Sequence, residues 1–241
     1  MAFQLVSDLH LETMRDYGKT LLDEIIPSDD ILIVAGDLCN ALDFNFVLTQ
    51  LCSKYREVLF VLGNHEYYYS SFKDVDWYIS KLKIKNLHIL RNDIIELDGV
   101  KIAGTTMWFK DDPMNVCYQR KINDFAYIRE FVNQVYIENK RAVKFIRSLK
   151  NIDMIVTHYV PSRKAIALIY KRSELNRFFI CDMEEDILKI KPKYWLFGHT
   201  HFSYDFKIGE TRLLSNPRGY ELSDLNRKFR KLTINLGDNR A

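Results

Sequence analysis

An α/β fold is the architecture expected of this 241-residue chain. Three features predict it: short apolar runs rich in β-branched residues, stretches of helical periodicity between the first of them, and a strand-like alternation toward the C-terminus. The runs are Phe3–Val6, Ile31–Val34, Val58–Leu62, Lys101–Gly104, Met154–Thr157 and Tyr194–Phe197. Each has strand length, and their near-continuous apolar character predicts sheets buried on both faces. Phe44–Tyr55 and Val75–Leu82 have helical periodicity, so strand and helix alternate through the first part of the chain. Trp108–Lys150 breaks that rhythm. After Asp111-Asp112-Pro113, the residues Ile128, Phe131, Val132, Val135, Val143, Ile146 and Leu149 recur at three- and four-residue steps, and the segment at about 108–150 reads as an insertion or cap. Tyr204–Ile208, Thr211–Leu214 and Phe229–Leu236, divided by turns at Ile208-Gly209-Glu210 and Asn216-Pro217-Arg218-Gly219, predict a terminal antiparallel meander. No Gly/Ser- or Pro-rich linker interrupts the sequence, so residues 1–241 are read as one domain.

Charged residues at 28% and hydrophobic ones at 47% exclude a disordered or fibrous chain. A chain of this length buries roughly 70–75% of the surface its unfolded form exposes, so it needs no disulfide framework. Thirty-five Lys and Arg against 32 Asp and Glu leave a net charge of +3, well short of the field that sequence-independent nucleic-acid binding requires. The basic runs at 81–85, Lys189–Lys193 and Arg227–Lys231 are each interrupted by apolar residues and read as solvated faces, so extended nucleic-acid binding is not expected. Cys39, Cys52, Cys117 and Cys181 form no CxxC pair and read as reduced thiols. The N-terminus reaches Asp8 before an apolar core develops, and no run of about 18 apolar residues follows. A cytoplasmic protein with no membrane association is the expectation.

The chemistry lies where the histidines fall. Five of the six, His10, His65, His158, His199 and His201, follow the expected strands directly, and only His88 stands apart. Beside them are Asp8, Asp37 in Gly36-Asp37, and Asn64 in Gly63-Asn64-His65-Glu66. In an α/β sheet the carboxyl ends of the strands gather along one edge, so residues far apart in sequence converge there. Carboxylate, amide oxygen and imidazole together suit a borderline or harder divalent ion such as Mn²⁺, Fe or Zn²⁺. So many donors exceed one tetrahedral shell and suggest two metals sharing a bridging carboxylate, the arrangement that clamps attacking and leaving oxygens in phosphoryl hydrolysis. Taken singly each segment has a bland account: Gly63-Asn64 is a favoured turn pair, and an isolated Asp-x-His is usually a turn beside a surface histidine.

The order Asp8-Leu9-His10, Gly36-Asp37, Gly63-Asn64-His65-Glu66, Thr157-His158 and Gly198-His199-Thr200-His201 resembles the calcineurin-like metallophosphoesterase superfamily, in particular its small bacterial and phage phosphohydrolases. The likeness runs from Phe3 to about Tyr220. It implies two facing mixed β-sheets flanked by helices, a β-sandwich in an αββα architecture. It further implies that Asp8, His10, Asp37 and His201 hold one ion, that Asp37, Asn64, His158 and His199 hold the other with Asp37 bridging, and that His65 stays off the metals as proton donor to the leaving oxygen. Two divalent ions are implied as cofactors, with Mn²⁺ ahead of Fe, Zn²⁺ and Ni²⁺.

The implied reaction is hydrolysis of a phosphate ester by in-line attack of a metal-bridging hydroxide, with a phosphodiester favoured and nucleotide-derived esters among the candidate substrates. A phosphomonoesterase, a protein phosphatase, a nuclease and a non-catalytic metal-binding scaffold like the retromer subunit of the same superfamily are the alternatives. The protein phosphatases continue Gly-Asp with a downstream Arg, whereas this chain reads Gly36-Asp37-Leu38-Cys39-Asn40-Ala41-Leu42, so a phosphoprotein substrate is disfavoured. Arg218, or a basic residue of the 108–150 segment such as Arg120, is left to meet the substrate's non-bridging oxygens. Tyr67-Tyr68-Tyr69, Trp108 and Phe109 are weighed as nucleobase-stacking residues or, more simply, as packing. Cys39 reads as a packed thiol rather than a ligand.

Overall fold

The computed structural model describes residues 2–25, 27, 30–220, 229 and 231–236. Eleven strands are present among these residues: β1 (Ala2–Val6), β2 (Ile31–Ala35), β3 (Glu57–Val61), β4 (Leu87–Ile89), β5 (Asp93–Leu97), β6 (Val100–Thr105), β7 (Met154–Thr157), β8 (Tyr194–Leu196), β9 (Tyr204–Ile208), β10 (Thr211–Ser215) and β11 (Leu232–Asn235). The helices are α1 (Lys19–Glu24), α2 (Phe44–Lys54), α3 (Phe72–Lys81), α4 (Asn115–Tyr118), α5 (Asp124–Tyr127), α6 (Phe131–Ser148) and α7 (Glu184–Ile190). The strands form two mixed sheets, ordered β11-β1-β2-β3-β4 and β5-β6-β7-β8-β10-β9. This is the expected two-sheet α/β architecture.

Alternation along each strand assigns its two faces. Phe3, Leu5, Ile31, Ile33, Ala35, Leu59 and Val61 of the first sheet pack with Ile102, Met154, Val156, Leu196 and Leu214 of the second, forming the layer between the sheets. The opposite residues, among them Leu32, Val34, Val58, Phe60, Ile155 and Trp195, pack outward with helix residues such as Val47, Leu51, Val75, Val135, Ile146 and Ile187. Burial on both faces is why these strands read as unbroken apolar runs.

Helix α6 corrects one expectation. β6 and β7 are parallel neighbours, a pairing that requires a crossover connection, and α6 lies within that connection with Phe131, Val135, Ala142 and Ile146 buried. The helical part of 108–150 is therefore the crossover of a βαβ unit rather than an appended cap. The terminal meander is corrected as well. β9 and β10 form an antiparallel hairpin, but β11 pairs with β1 in the other sheet, Ile234 opposite Phe3, because its apolar face fits the layer between the sheets. Arg230 of that expected strand, with Arg227 and Lys228 of the basic run, lies outside the described residues. The edge strands β4 and β5 are half-exposed, and so lack the apolar signature by which the central strands were recognised.

Ile33 is fully buried in the layer between the sheets, so Ile33→Ala is expected to cost about 2–5 kcal/mol. A urea midpoint unchanged from wild type would show that this layer does not carry stability as described.

Candidate metal centre

The carboxyl ends of β1, β2, β3, β7 and β8 deliver Asp8, Asp37, Asn64, His158 and His199 to one place. Asp8 (φ 52°), His10 (φ 48°), Asp37 (φ 53°), His199 (φ 64°) and His201 (φ 52°) all lie in the left-handed region. Each such non-glycine residue costs about 1–3 kcal/mol and persists only where its surroundings impose it. Backbone contacts impose it here: Asp8 N donates to Gly36 O (2.9 Å), His10 N to Asp37 O (3.0 Å) and Gly198 N to His158 O (3.0 Å). A methyl group on Gly63 would overlap Asp37 Oδ1 and the His158 ring, and one on Gly36 would overlap the same ring. The loops close this tightly only because those side chains are missing.

His10 Nε2 and His201 Nε2 face each other at 2.9 Å, and Asp8 Oδ1 lies 3.6 Å from His201 Nε2. His158 Nε2 lies 3.1 Å from both Asn64 Oδ1 and His199 Nδ1. Asp37 reaches both groups: its Oδ2 is 3.4 Å from His158 Nε2 and 3.9 Å from His10 Nε2. Ligand atoms of Asp8, His10 and His201, and of Asp37, His158 and His199, each fall within 4.8 Å of one another. These residues fit divalent ions. The donors are hard or borderline, and imidazole nitrogens of His10 and His201, and of His158 and His199, face each other at 2.9 and 3.1 Å in the two groups.

Burial opposes the charge of Asp37, but the imidazoles of His158, His65 and His10 outweigh it and hold the carboxyl well below the usual range. Burial likewise opposes charge on His158, yet Asp37 raises it to about 9. Burial and the charge of His158 push His199 well down, and burial with His10 among its neighbours lowers His201 to about 4. Neutral imidazoles are the form that offers a lone pair to a metal.

A third grouping places His65 within the same 4.8 Å of His10 and Asp37 donors. Its Nδ1 lies 2.7 Å from Glu12 Oε1, its Nε2 lies 3.0 Å from the Tyr220 hydroxyl, and its ring stacks on Tyr68 at 4.1 Å. Burial works against its charge, but Asp37 and Glu12 raise its pKa to about 9. Glu12, held low by His10 and His65 despite burial, was not singled out from the sequence. Nor was Glu66, whose buried carboxylate accepts from Asp37 N (3.1 Å), Gly63 N (2.6 Å) and Leu38 N (2.7 Å), tying two strand-end loops together. Burial and the neighbouring Asp37 push it up to about 8. In sequence, Glu66 is legible only as the last residue of Gly63-Asn64-His65-Glu66.

The donors open onto a cavity of about 470 Å³ that Asp37, Asn64, His65, His199 and His201 line, within the usual range of about 300–1,000 Å³ for small-molecule sites. Its apolar lining comes largely from the loop after β7, with Val160, Ala165, Ile166, Phe178 and Phe179, the last stacked on His199 at 4.7 Å. Hydrogen bonds between Val160 and Phe179 and between Cys181 and Val160 pinch that loop at its base. The cation on the wall is Lys121; neither Arg218 nor Arg120 is among the described lining residues. Arg218 instead donates its backbone N–H to Ser7 O (3.0 Å), and its Nη1 is buried without a described partner. Of the aromatic candidates, Tyr68 lines the cavity, Tyr69 is exposed, and Tyr67, Trp108 and Phe109 are core. Cys39 is a buried thiol, raised well above its usual pKa by burial.

The profile of the calcineurin-like phosphoesterases matches residues 1–203. The chain belongs to this family. An uncharacterized protein of Acanthamoeba polyphaga mimivirus is 28% identical over 252 aligned residues, covering 89% of this chain and 90% of its own length. Among solved structures, phosphopantetheinyl hydrolase (PptH) from Mycobacterium tuberculosis superposes with a TM-score of 0.75 at 15% identity, over 91% of this chain and 89% of that one. TT1561 of Thermus thermophilus superposes with a TM-score of 0.52 at 12% identity, over 90% and 88%.

Because Gly63 has no room for a side chain, Gly63→Ala is expected to displace Asp37 and His158, costing about 1–3 kcal/mol and reducing whatever metal these residues hold. Elemental analysis of the purified variant checks this. A wild-type metal content would show that the loop tolerates the methyl group.

Proposed function

We propose that the protein hydrolyses a phosphate ester with the help of two divalent ions, a phosphodiester in preference to a monoester, with nucleotide-derived esters among the candidates. The observation that carries this reading is the buried Asp37 carboxylate, within 4 Å of imidazole nitrogens from both donor groups. Asp8, His10, Asp37 and His201 would hold one ion and Asp37, Asn64, His158 and His199 the other. Mn²⁺ is assigned first among Mn²⁺, Fe, Zn²⁺ and Ni²⁺; bound there, the ions would lower the pKa of water toward neutrality and neutralise phosphate charge. The free cysteines are in keeping with a reducing compartment, the cytoplasm. No described helix is long and apolar enough to cross a membrane.

The remaining steps belong to the chain's own groups. In-line entry of water leaves an alkoxide that departs with a proton. His65 is assigned to deliver it from Nε2: Glu12 accepts from Nδ1 and favours the imidazolium, and Tyr68 holds the ring from one side. Tyr220 touches Nε2 at 3.0 Å and stacks on His10 at 4.3 Å, marking the position a substrate oxygen would take. Lys121, in preference to Arg218, is assigned to the non-bridging oxygens. The apolar wall accepts the organic part of the ester; a cavity this large exceeds what a bare phosphate needs, which supports an ester with a substantial second group.

The test is hydrolysis of bis-p-nitrophenyl phosphate against p-nitrophenyl phosphate in Mn²⁺, with and without EDTA. Diester preference abolished by chelation is the expected result; monoester preference would overturn the diester assignment. His65→Ala is expected to keep its metal and lose about 10²–10⁴-fold in turnover on an alkyl ester, with a smaller loss when p-nitrophenolate leaves. Equal losses on both would remove His65 from the proton-donor role. Asp37→Ala is expected to lose metal and activity together, and full metal occupancy would refute the bridging assignment.

A further inference from the structure

We infer that Asp124, on α5, is a positioning residue that orients the Asn64 amide with its oxygen toward the second metal position, so that the 108–150 segment completes the metal centre. The inference rests on the reading of Asn64 as a ligand.

Asp124 is only 3% exposed. Its Oδ1 accepts from Asn64 Nδ2 (2.9 Å) and from the Tyr68 hydroxyl (2.9 Å), and its Oδ2 accepts from the Tyr159 hydroxyl (3.3 Å). Three neutral donors therefore converge on one buried carboxyl.

An asparagine amide has two ends of nearly the same shape and opposite chemistry, and its neighbours decide which way it points. With Nδ2 on Asp124, Oδ1 faces His158 Nε2 at 3.1 Å, where a metal can use its lone pairs. Rotating the amide by half a turn would set Oδ1 against a carboxylate oxygen and turn an NH₂ group toward the metal position, which no cation accepts. Asp124 Oδ1 accepts from both the Asn64 amide and the Tyr68 hydroxyl, and an oxygen held there by two donors selects the productive orientation. Donation to a carboxylate also enriches Oδ1 as a ligand, as partners behind metal ligands generally do. The same Oδ1 steadies Tyr68, on which His65 stacks, so one carboxylate supports both the ligand and the proton donor.

The test is titration of the metal-stripped full chain with Mn²⁺ by calorimetry, with electron paramagnetic resonance reporting the coupled ion pair. Wild type is expected to bind two ions. Asp124→Leu is expected to keep one site near its wild-type affinity and to weaken the other about 10- to 100-fold. Asp124→Asn, whose Oδ1 still accepts from Asn64, is expected to recover most of that loss. Tyr159→Phe, which leaves the contact with Asn64 intact, is expected to keep both sites. If Asp124→Leu does not fold, Asp124→Ser is read the same way. Two sites of unchanged affinity in the Leu or Ser variant would overturn the inference, as would equal weakening of both sites or no recovery with Asn. Fewer than two ions on the wild type would instead overturn the two-metal reading, and this inference with it.

Discussion

The structure depends on keeping a charge at Asp37 while burying it. An unpaired buried carboxylate costs several kcal/mol, so positive or polarisable groups must approach within a few ångströms from several directions. His10, His65 and His158 do so, and the backbone N–H of His65 donates to Asp37 Oδ1 (2.9 Å). Bringing a histidine from a second sheet that close leaves no space for side chains at Gly36 and Gly63. Around it, backbone hydrogen bonds hold Asp8, His10, Asp37, His199 and His201 in left-handed backbone. The missing side chains at Gly36 and Gly63 follow from this close approach, and the inter-sheet packing behind the site supplies the free energy that offsets the strain.

The two-sheet architecture explains why the donors arrive from both sides. The first sheet contributes Asp8, His10, Asp37, Asn64 and His65 through β1, β2 and β3, while the second contributes His158, His199 and His201 through β7 and β8. Metal ions held at that seam would be bound by both layers at once. Ions that bind the folded chain and not the unfolded one stabilise it by mass action, so metal binding and sheet-to-sheet packing reinforce one another. The Glu66 carboxylate does a similar job within the first sheet, holding the turns after β2 and β3 together through three backbone N–H groups.

Much of this was legible in the sequence, and what was missed has physical causes. The central strands were visible because burial on both faces leaves no polar residue within them, and the donors were visible because each follows such a run. β4 and β5 lie at sheet edges and carry mixed sequences. The partner of β11 was not legible, because an alternating strand does not say which sheet it joins. Glu12, Asp124 and Tyr220 were missed for a related reason: they act through contacts with residues 53, 60 and 155 positions away. Nothing in their local sequence separates them from surface residues. Arg218 was conspicuous as an arginine after a turn; its backbone N–H donates to Ser7 O and its guanidinium is absent from the described cavity lining.

The division between what the strands and the loops contribute bears on specificity. Residues at strand ends supply the clustered carboxylates and imidazoles. The apolar wall comes from the loop after β7, and Lys121 and Asp124 come from the connection between β6 and β7. Arg177 joins these two loops, its guanidinium reaching Asp112 (3.2 Å) while also binding Glu174 (3.0 Å) and stacking over Tyr118 at 5.2 Å. The wall is therefore tied to the same connection that orients Asn64. Loops on a rigid scaffold change more readily than the scaffold, and fold alone does not choose a substrate. In this chain the clustered carboxylates and imidazoles come from the strand ends, and the cavity wall comes from two loops that Arg177 fastens to each other.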